Sequence, residues 1–140
     1  MPSIEYSHTF HYRLLPGPAT RYVPALELIL RRDEIECPVF ALVDTGAEHS
    51  LFSGELAETL GLSLQSGPRK DLMSLGGPLA AYAHRIEIDI AYGWSLGATE
   101  VLFSDRNIPH NLIGRFDILF QLVLGLSERT GLIYLSNASF

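Results

Sequence analysis

Apolar residues run through this chain in short segments that glycines and prolines keep interrupting. SHTFHYRLL, residues 7–15, reads as a first strand closed by Pro-Gly-Pro at 16–18. YVPALELILR and IECPVFALVD are rich in aliphatic and β-branched side chains and read as a strand pair joined around Arg32–Glu34. SGELAETLGL has a helix signature instead. Ser53 is placed to cap it, Glu55 and Glu58 favour its start and body, and Gly61 suits the position just past its end.

Further along, RKDLMSLGGPLAAYAHRIEIDI reads as two strands turning at Gly76–Gly77–Pro78, the second alternating well in RIEIDI. ATEVLFSD is another strand. NLIGRFDILFQLVLGL begins apolar and then passes through a short helix near Arg115–Gln121, and ERTGLIYLS is a turn and a final strand. Many short strands, glycine-rich turns and one or two short helices predict a mainly β domain, a barrel or folded sheet. At 140 residues, with no repeat and no interior linker, the expectation is a single domain over 1–140.

Composition narrows the partners. A formal charge of −6, with ten Lys and Arg not gathered into a stripe, argues against a nucleic-acid binder and against anionic surfaces. Apolar runs are too short to span a bilayer, and MPSIEYSHTFHYR lacks the basic-then-apolar pattern of a secretory signal, so a cytoplasmic location is expected. The single cysteine, Cys37, reads as a small buried hydrophobe rather than a reactive thiol. His8, His11 and His49 invite a metal reading, but an H-x-x-H spacing on a strand splays its rings, and no cluster completes a site, so no metal is expected. Tyr92, Trp94 and Phe103 read as core or interface packing.

One stretch carries chemistry. In ALVDTGAEHSLF, residues 41–52, an apolar strand delivers Asp44 to a Thr-Gly turn. A carboxylate there does acid–base work if a second faces it, because two close carboxylates share one proton. One member then activates water while the other protonates the substrate oxygen. No other Asp in the chain precedes Thr-Gly or Ser-Gly, so the second carboxylate of such a dyad must come from a second copy across a two-fold axis. The bland alternative is an Asp that merely stabilises a turn.

ALVDTGA resembles the active-site strand and loop of the retropepsin-like aspartic proteases. Three more segments follow in that family's order: LGGPLAAYAHRIEIDI as the glycine-tipped flap and its descending strand, HNLIGRFDIL as the apolar pair with Gly-Arg and a short helix, and ERTGLIYLS as the last strand. The helix-like SLFSGELAETLGL is more similar to the bacterial and cellular branch than to the viral enzymes. The match covers residues 22–136, leaving 1–21 as an N-terminal extension or extra strand.

The resemblance implies a retropepsin-like closed β-barrel (the acid protease fold), one lobe per chain, acting as a homodimeric aspartic endopeptidase on a peptide or protein substrate. No cofactor is implied, since water is the nucleophile. Asp44 would be the catalytic acid–base, Thr45 would reach across the axis to the partner loop, and Gly46 would let the backbone turn and substrate approach. Ala47, Glu48, Leu112 and Ile113 would line the cleft, and Leu75, Gly76 and Gly77 would form the closing tip. Arg115, paired with Glu48, and Ser50 would be structural support. The chain departs from the family where Phe116 stands between Gly-Arg and Asp117, so the helix start is shifted or its cap differs. With alanine at 47 no hydroxyl can donate to the carboxylates, so a weakly acidic working range is expected. The alternative left open is a catalytically inactive dimer serving as a peptide-binding or oligomerisation module. A phosphate-binding Asp-x-Gly turn of a sugar-kinase-like ATPase is disfavoured, because those folds need two large lobes.

Overall fold

Strands β2 (Ala25–Arg32) and β3 (Ile35–Val43) pair antiparallel through a two-residue connection. Asp33 in that connection takes φ 54°, a left-handed value that Asp tolerates and tight hairpins require. The computed structural model describes residues 3–17, 20–74 and 76–138. The next strands are β4 (Leu51–Phe52), β5 (Arg69–Ser74), β6 (Gly77–Ile90), β7 (Trp94–Ser104) and β8 (Asn111–Ile113).

Six of these strands close on themselves. The order β2-β3-β8-β4-β7-β6 returns to β2 through a direct β2–β6 pairing, so the barrel has no free edge along that ring. Arg31 Nη2 lies 2.9 Å from Asp89 across the closing seam. The expected mainly β closed barrel is the observed one.

Period-two patterning decides what faces inward. In RIEIDI, Ile86, Ile88 and Ile90 are buried while Arg85 and Glu87 are exposed. Phe52, Phe103, Leu26, Leu28 and Leu30 fill the interior with them. A smaller cluster of Leu51, Leu79, Ala81 and Leu102 packs beside it. Among the described residues strand β5 pairs with β6 alone and therefore stands outside the ring.

A second, three-stranded sheet runs in the order β1 (His8–His11), β10 (Leu132–Asn137), β9 (Leu122–Ser127). Among the described residues before 22, His8–His11 form a strand, β1, laid along the C-terminal strand. Tyr12 welds this arm down: its amide donates to Gly131 O and its hydroxyl donates to Glu128 at 2.9 Å. Burial, then that hydrogen bond and the Glu128 charge, push the Tyr12 phenol up to about 12. His8 stacks on Trp94 with ring centroids 4.2 Å apart.

Four expectations need correction. Helix α1 (Gly54–Thr59) follows Ser53, but the Ser53 side chain does not cap it. Asn107 Oδ1 accepts from Glu55 N instead, while Ser53 Oγ accepts from Ile108 N. The far end behaves as read: Gly61, at φ 72°, donates to Glu58 O, and Leu62 N reaches Ala57 O. The helix near Arg115–Gln121 is only a turn at 115–118 with a single 3-10 turn, Leu119–Gln121. Strand β7 begins at Trp94, four residues before the expected start; the extra residue opposite Ile88 and Asp89, with Gly97 at φ 75°, breaks the alternation that would have revealed it. Tyr92 is 74% exposed at the β6–β7 turn and packs in no core.

Candidate active site

The end of β3 is held between neighbours before the acid is reached. Val43 is in register with Ile113 of β8, and its amide donates to Pro24 O. Asp44 N then donates to Ile113 O at 3.0 Å, so the acid leaves the barrel from a hydrogen-bonded position. The chain turns at once, with Ala47 N on Asp44 O at 3.1 Å. Gly46 N donates to Asp44 Oδ1 at 3.0 Å and orients the carboxylate. A Cβ on Gly46 would lie 3.3 Å from that same oxygen, so any larger residue would crowd the acid. Asp44 is half-buried, and Thr45 and Gly46 are exposed. The Thr45 hydroxyl has no hydrogen-bond partner among the described residues.

The later Gly-Arg segment supports this loop from beneath. Arg115 N donates to Ala47 O and Phe116 N to Glu48 O, at 2.9 and 2.8 Å. Gly114 runs so close that a Cβ would collide with the His49 backbone and lie 2.7 Å from Ser50 N. Ser50, fully buried, donates its hydroxyl to Asp117 Oδ1 at 2.6 Å and its amide to Asp117 Oδ2 at 2.8 Å. Its oxygen accepts from Gly114 N at 2.9 Å, and Asp117 Oδ1 also takes Ile118 N. A single carboxylate thus ties the loop, the strand β8 exit and the following turn into one unit.

Two expectations fail here. Arg115 and Glu48 form no ion pair: both are exposed, and the Arg115 guanidinium sits 5.4 Å over the Phe116 ring. The tie between their segments is made by main-chain amides, which do not depend on side-chain length. Ile113 cannot wall a cleft, because it is fully buried in the barrel core. Alternation along β8 sends Leu112 the other way, half-buried beside the smaller cluster. Asp117 was not singled out as a site residue; the signal was its place two residues past Arg115, displaced by the inserted Phe116.

The β5–β6 hairpin carries the glycine tip. Gly77 takes φ 109°, and Ser74 Oγ donates to Gly77 O at 2.7 Å. Gly76 is exposed and Met73 is 80% exposed. Leu75 lies outside the described residues. A pocket of about 680 Å³ opens between the base of β5, strands β6 and β7, and the 115–121 turn. His49 and Asp117 line it; Asp44 does not.

Other candidate chemistry is absorbed into packing. Cys37 is partly exposed against the core and desolvation pushes its thiol up, away from thiolate reactivity. His49 Nε2 lies 2.7 Å from Lys70 Nζ. Among the described residues no group of three or more His, Cys, Asp or Glu is arranged to hold a metal. No helix is long and apolar enough to cross a membrane.

Comparison with known proteins agrees with this architecture. The family model described as aspartyl protease matches residues 34–127. A retropepsin-like aspartic protease from Rickettsia conorii superposes with a TM-score of 0.59 at 15% identity, over 79% of this chain and 88% of that one. The EIAV protease complexed with the inhibitor HBY-793 superposes with a TM-score of 0.52 at 20% identity, over 72% and 88%. At such identities the structures speak for the fold alone. No curated protein matches in sequence. With more than half of its length matched by the family model, on a barrel that places an Asp-Thr-Gly turn at a strand end, the chain belongs to the aspartyl protease family and has a fold of the retropepsin type.

Proposed function

We propose that the protein is an aspartic endopeptidase that works as a homodimer, with one Asp44 from each chain flanking the water that attacks a peptide bond. The observation that carries this is the asymmetry of the Asp44 loop. Main-chain and Asp117 contacts hold it from below, while Thr45 and Gly46 are open and the Thr45 hydroxyl is unpartnered among the described residues. A hydroxyl both donates and accepts, which is what reciprocal bonding between two copies across an axis needs. The two carboxylates then share one proton; the ionised one takes a proton from water, and the other gives its proton to the carbonyl oxygen. The β5–β6 hairpin closes over an extended peptide and excludes bulk water. Ala47, Glu48 and Leu112 contact the peptide near the cut, and the working range is weakly acidic.

The test is Asp44→Asn. Peptide cleavage by purified protein should fall by roughly 10²–10⁴-fold while circular dichroism and the sedimenting dimer stay unchanged. A peptide with a central hydroxyl in place of the scissile carbonyl should inhibit, because it mimics the tetrahedral intermediate. Undiminished cleavage by Asp44→Asn protein, or a wild-type enzyme fully active as a monomer, would end the proposal.

A further inference from the structure

The pocket beside the Asp44 loop has a charge set unlike the molecule as a whole. The chain carries −6, yet Arg69, Lys70 and Arg85 line this pocket, and Arg115 lies over Phe116 at its rim. Two anions, Glu100 and Asp117, also line it. Asp117 is already taken up by Ser50 and Ile118 N. Arg69 is paired with Asp71 at 3.0 Å, but both are largely exposed and such a pair exchanges readily. Lys70 Nζ lies 2.7 Å from His49 Nε2 and forms no ion pair with a carboxylate among the described residues. Arg85 stands opposite Glu100 in the β6–β7 register, but no carboxylate lies within ion-pair distance of it among the described residues. On the same rim Phe116 and Phe120 are 55% and 77% exposed.

Position matters as much as charge. His49 follows Glu48 on the loop that carries Asp44, and Lys70 lies on β5, the outer strand of the glycine-tipped hairpin. Their 2.7 Å contact therefore joins the two elements that would enclose a substrate, and the pocket continues from that junction. Resting on the reading of Asp44 as a peptide-cleaving acid, we propose that this pocket binds acidic residues flanking the scissile bond of a protein substrate. Substrate carboxylates meet Lys70 and Arg85, and a neighbouring apolar side chain lies on Phe116 and Phe120. The chain's net charge of −6 disfavours an acidic peptide overall, so attraction at this pocket sets register as well as affinity.

Binding is read on Asp44→Asn protein, which leaves the probe intact, by fluorescence polarisation with a fluorescein-labelled peptide of three Glu-Glu-Phe repeats. This peptide should bind at least about ten-fold more tightly than its Lys-Lys-Phe counterpart, an advantage that salt weakens. The double variant Lys70→Glu/Arg85→Glu should erase or invert that preference, and Lys70→Gln/Arg85→Gln should give an intermediate loss, with unchanged circular dichroism in both. Equal binding of the two peptides, a preference untouched by charge reversal, or displacement of the peptide by a short oligothymidylate at equal concentration would overturn the proposal. Because the readout is binding, failure of wild-type protein to cleave any peptide would count against the proteolytic reading alone.

Discussion

The Asp44 loop and the β5–β6 hairpin are both turns built around glycine, and they are held in opposite ways. The loop is tied to three segments: to β8 through Asp44 N, to the Gly-Arg turn through Ala47 O and Glu48 O, and to Asp117 through Ser50. Among the described residues the outer strand of the hairpin, β5, pairs only with β6, and beyond that ladder a side-chain bond from Ser74 Oγ to Gly77 O ties the tip. The first arrangement over-determines where a carboxylate sits; the second leaves the tip outside the barrel with few ties beyond its own hairpin. A protease of this kind needs both, a fixed acid and a cover that opens.

The comparison breaks most sharply at the acid. On the proposed mechanism, in which Asp44 does acid–base work without supporting the fold, Asp44→Asn should lower cleavage by roughly 10²–10⁴-fold with no change in thermal midpoint. Asp117→Ala comes next. It strands the buried Ser50 hydroxyl and amide together with Ile118 N, so chemical denaturation should show a loss on the order of 3 kcal/mol and cleavage should fall with it. Asp117→Asn, which keeps the size and one acceptor, should recover part of both.

The hairpin should answer differently. Gly77→Ala finds open space but a φ of 109° that L-residues avoid, about 1–3 kcal/mol of strain that a tip tied at one point can relax. The thermal midpoint should barely move while kcat/KM drops, the reverse of a purely structural defect. Tyr12→Phe is the smallest change and a control outside both regions. Because the folded-state phenol is raised above its ordinary value of 10 to about 12, its stabilisation is complete below pH 10 and is lost as pH climbs toward 12. The wild-type midpoint should therefore decline through that interval, and the variant should show a shallower decline.

Much of this was legible in the chain itself, and the reasons are local. RIEIDI alternates, so its inward face is readable; Asp33–Glu34 can turn in two residues; Gly61 can take the left-handed conformation that ends α1. Asp44 stands out because the flap-like, Gly-Arg and last-strand segments follow its Thr-Gly turn in order; the turn alone is equally an Asp that stabilises a bend. What failed was non-local. Asn107 caps α1 from more than fifty positions away, a relation that no window around Ser53 contains. The family resemblance pairs Glu48 with Arg115, whereas their segments meet through backbone amides that every residue type but proline carries.

The chain's own pattern settled a mainly β fold, most of its strands and the single Asp-Thr-Gly turn, because side-chain periodicity and glycine's conformational range act over a few residues. Only the tertiary structure decided that six strands close into a ring, that Asp117 rather than Arg115 anchors the loop, that Ile113 points into the core, and that Lys70 and Arg85 share a pocket with two phenylalanines. Those outcomes depend on which distant segments come within hydrogen-bonding or packing distance, and that is set by barrel closure and register.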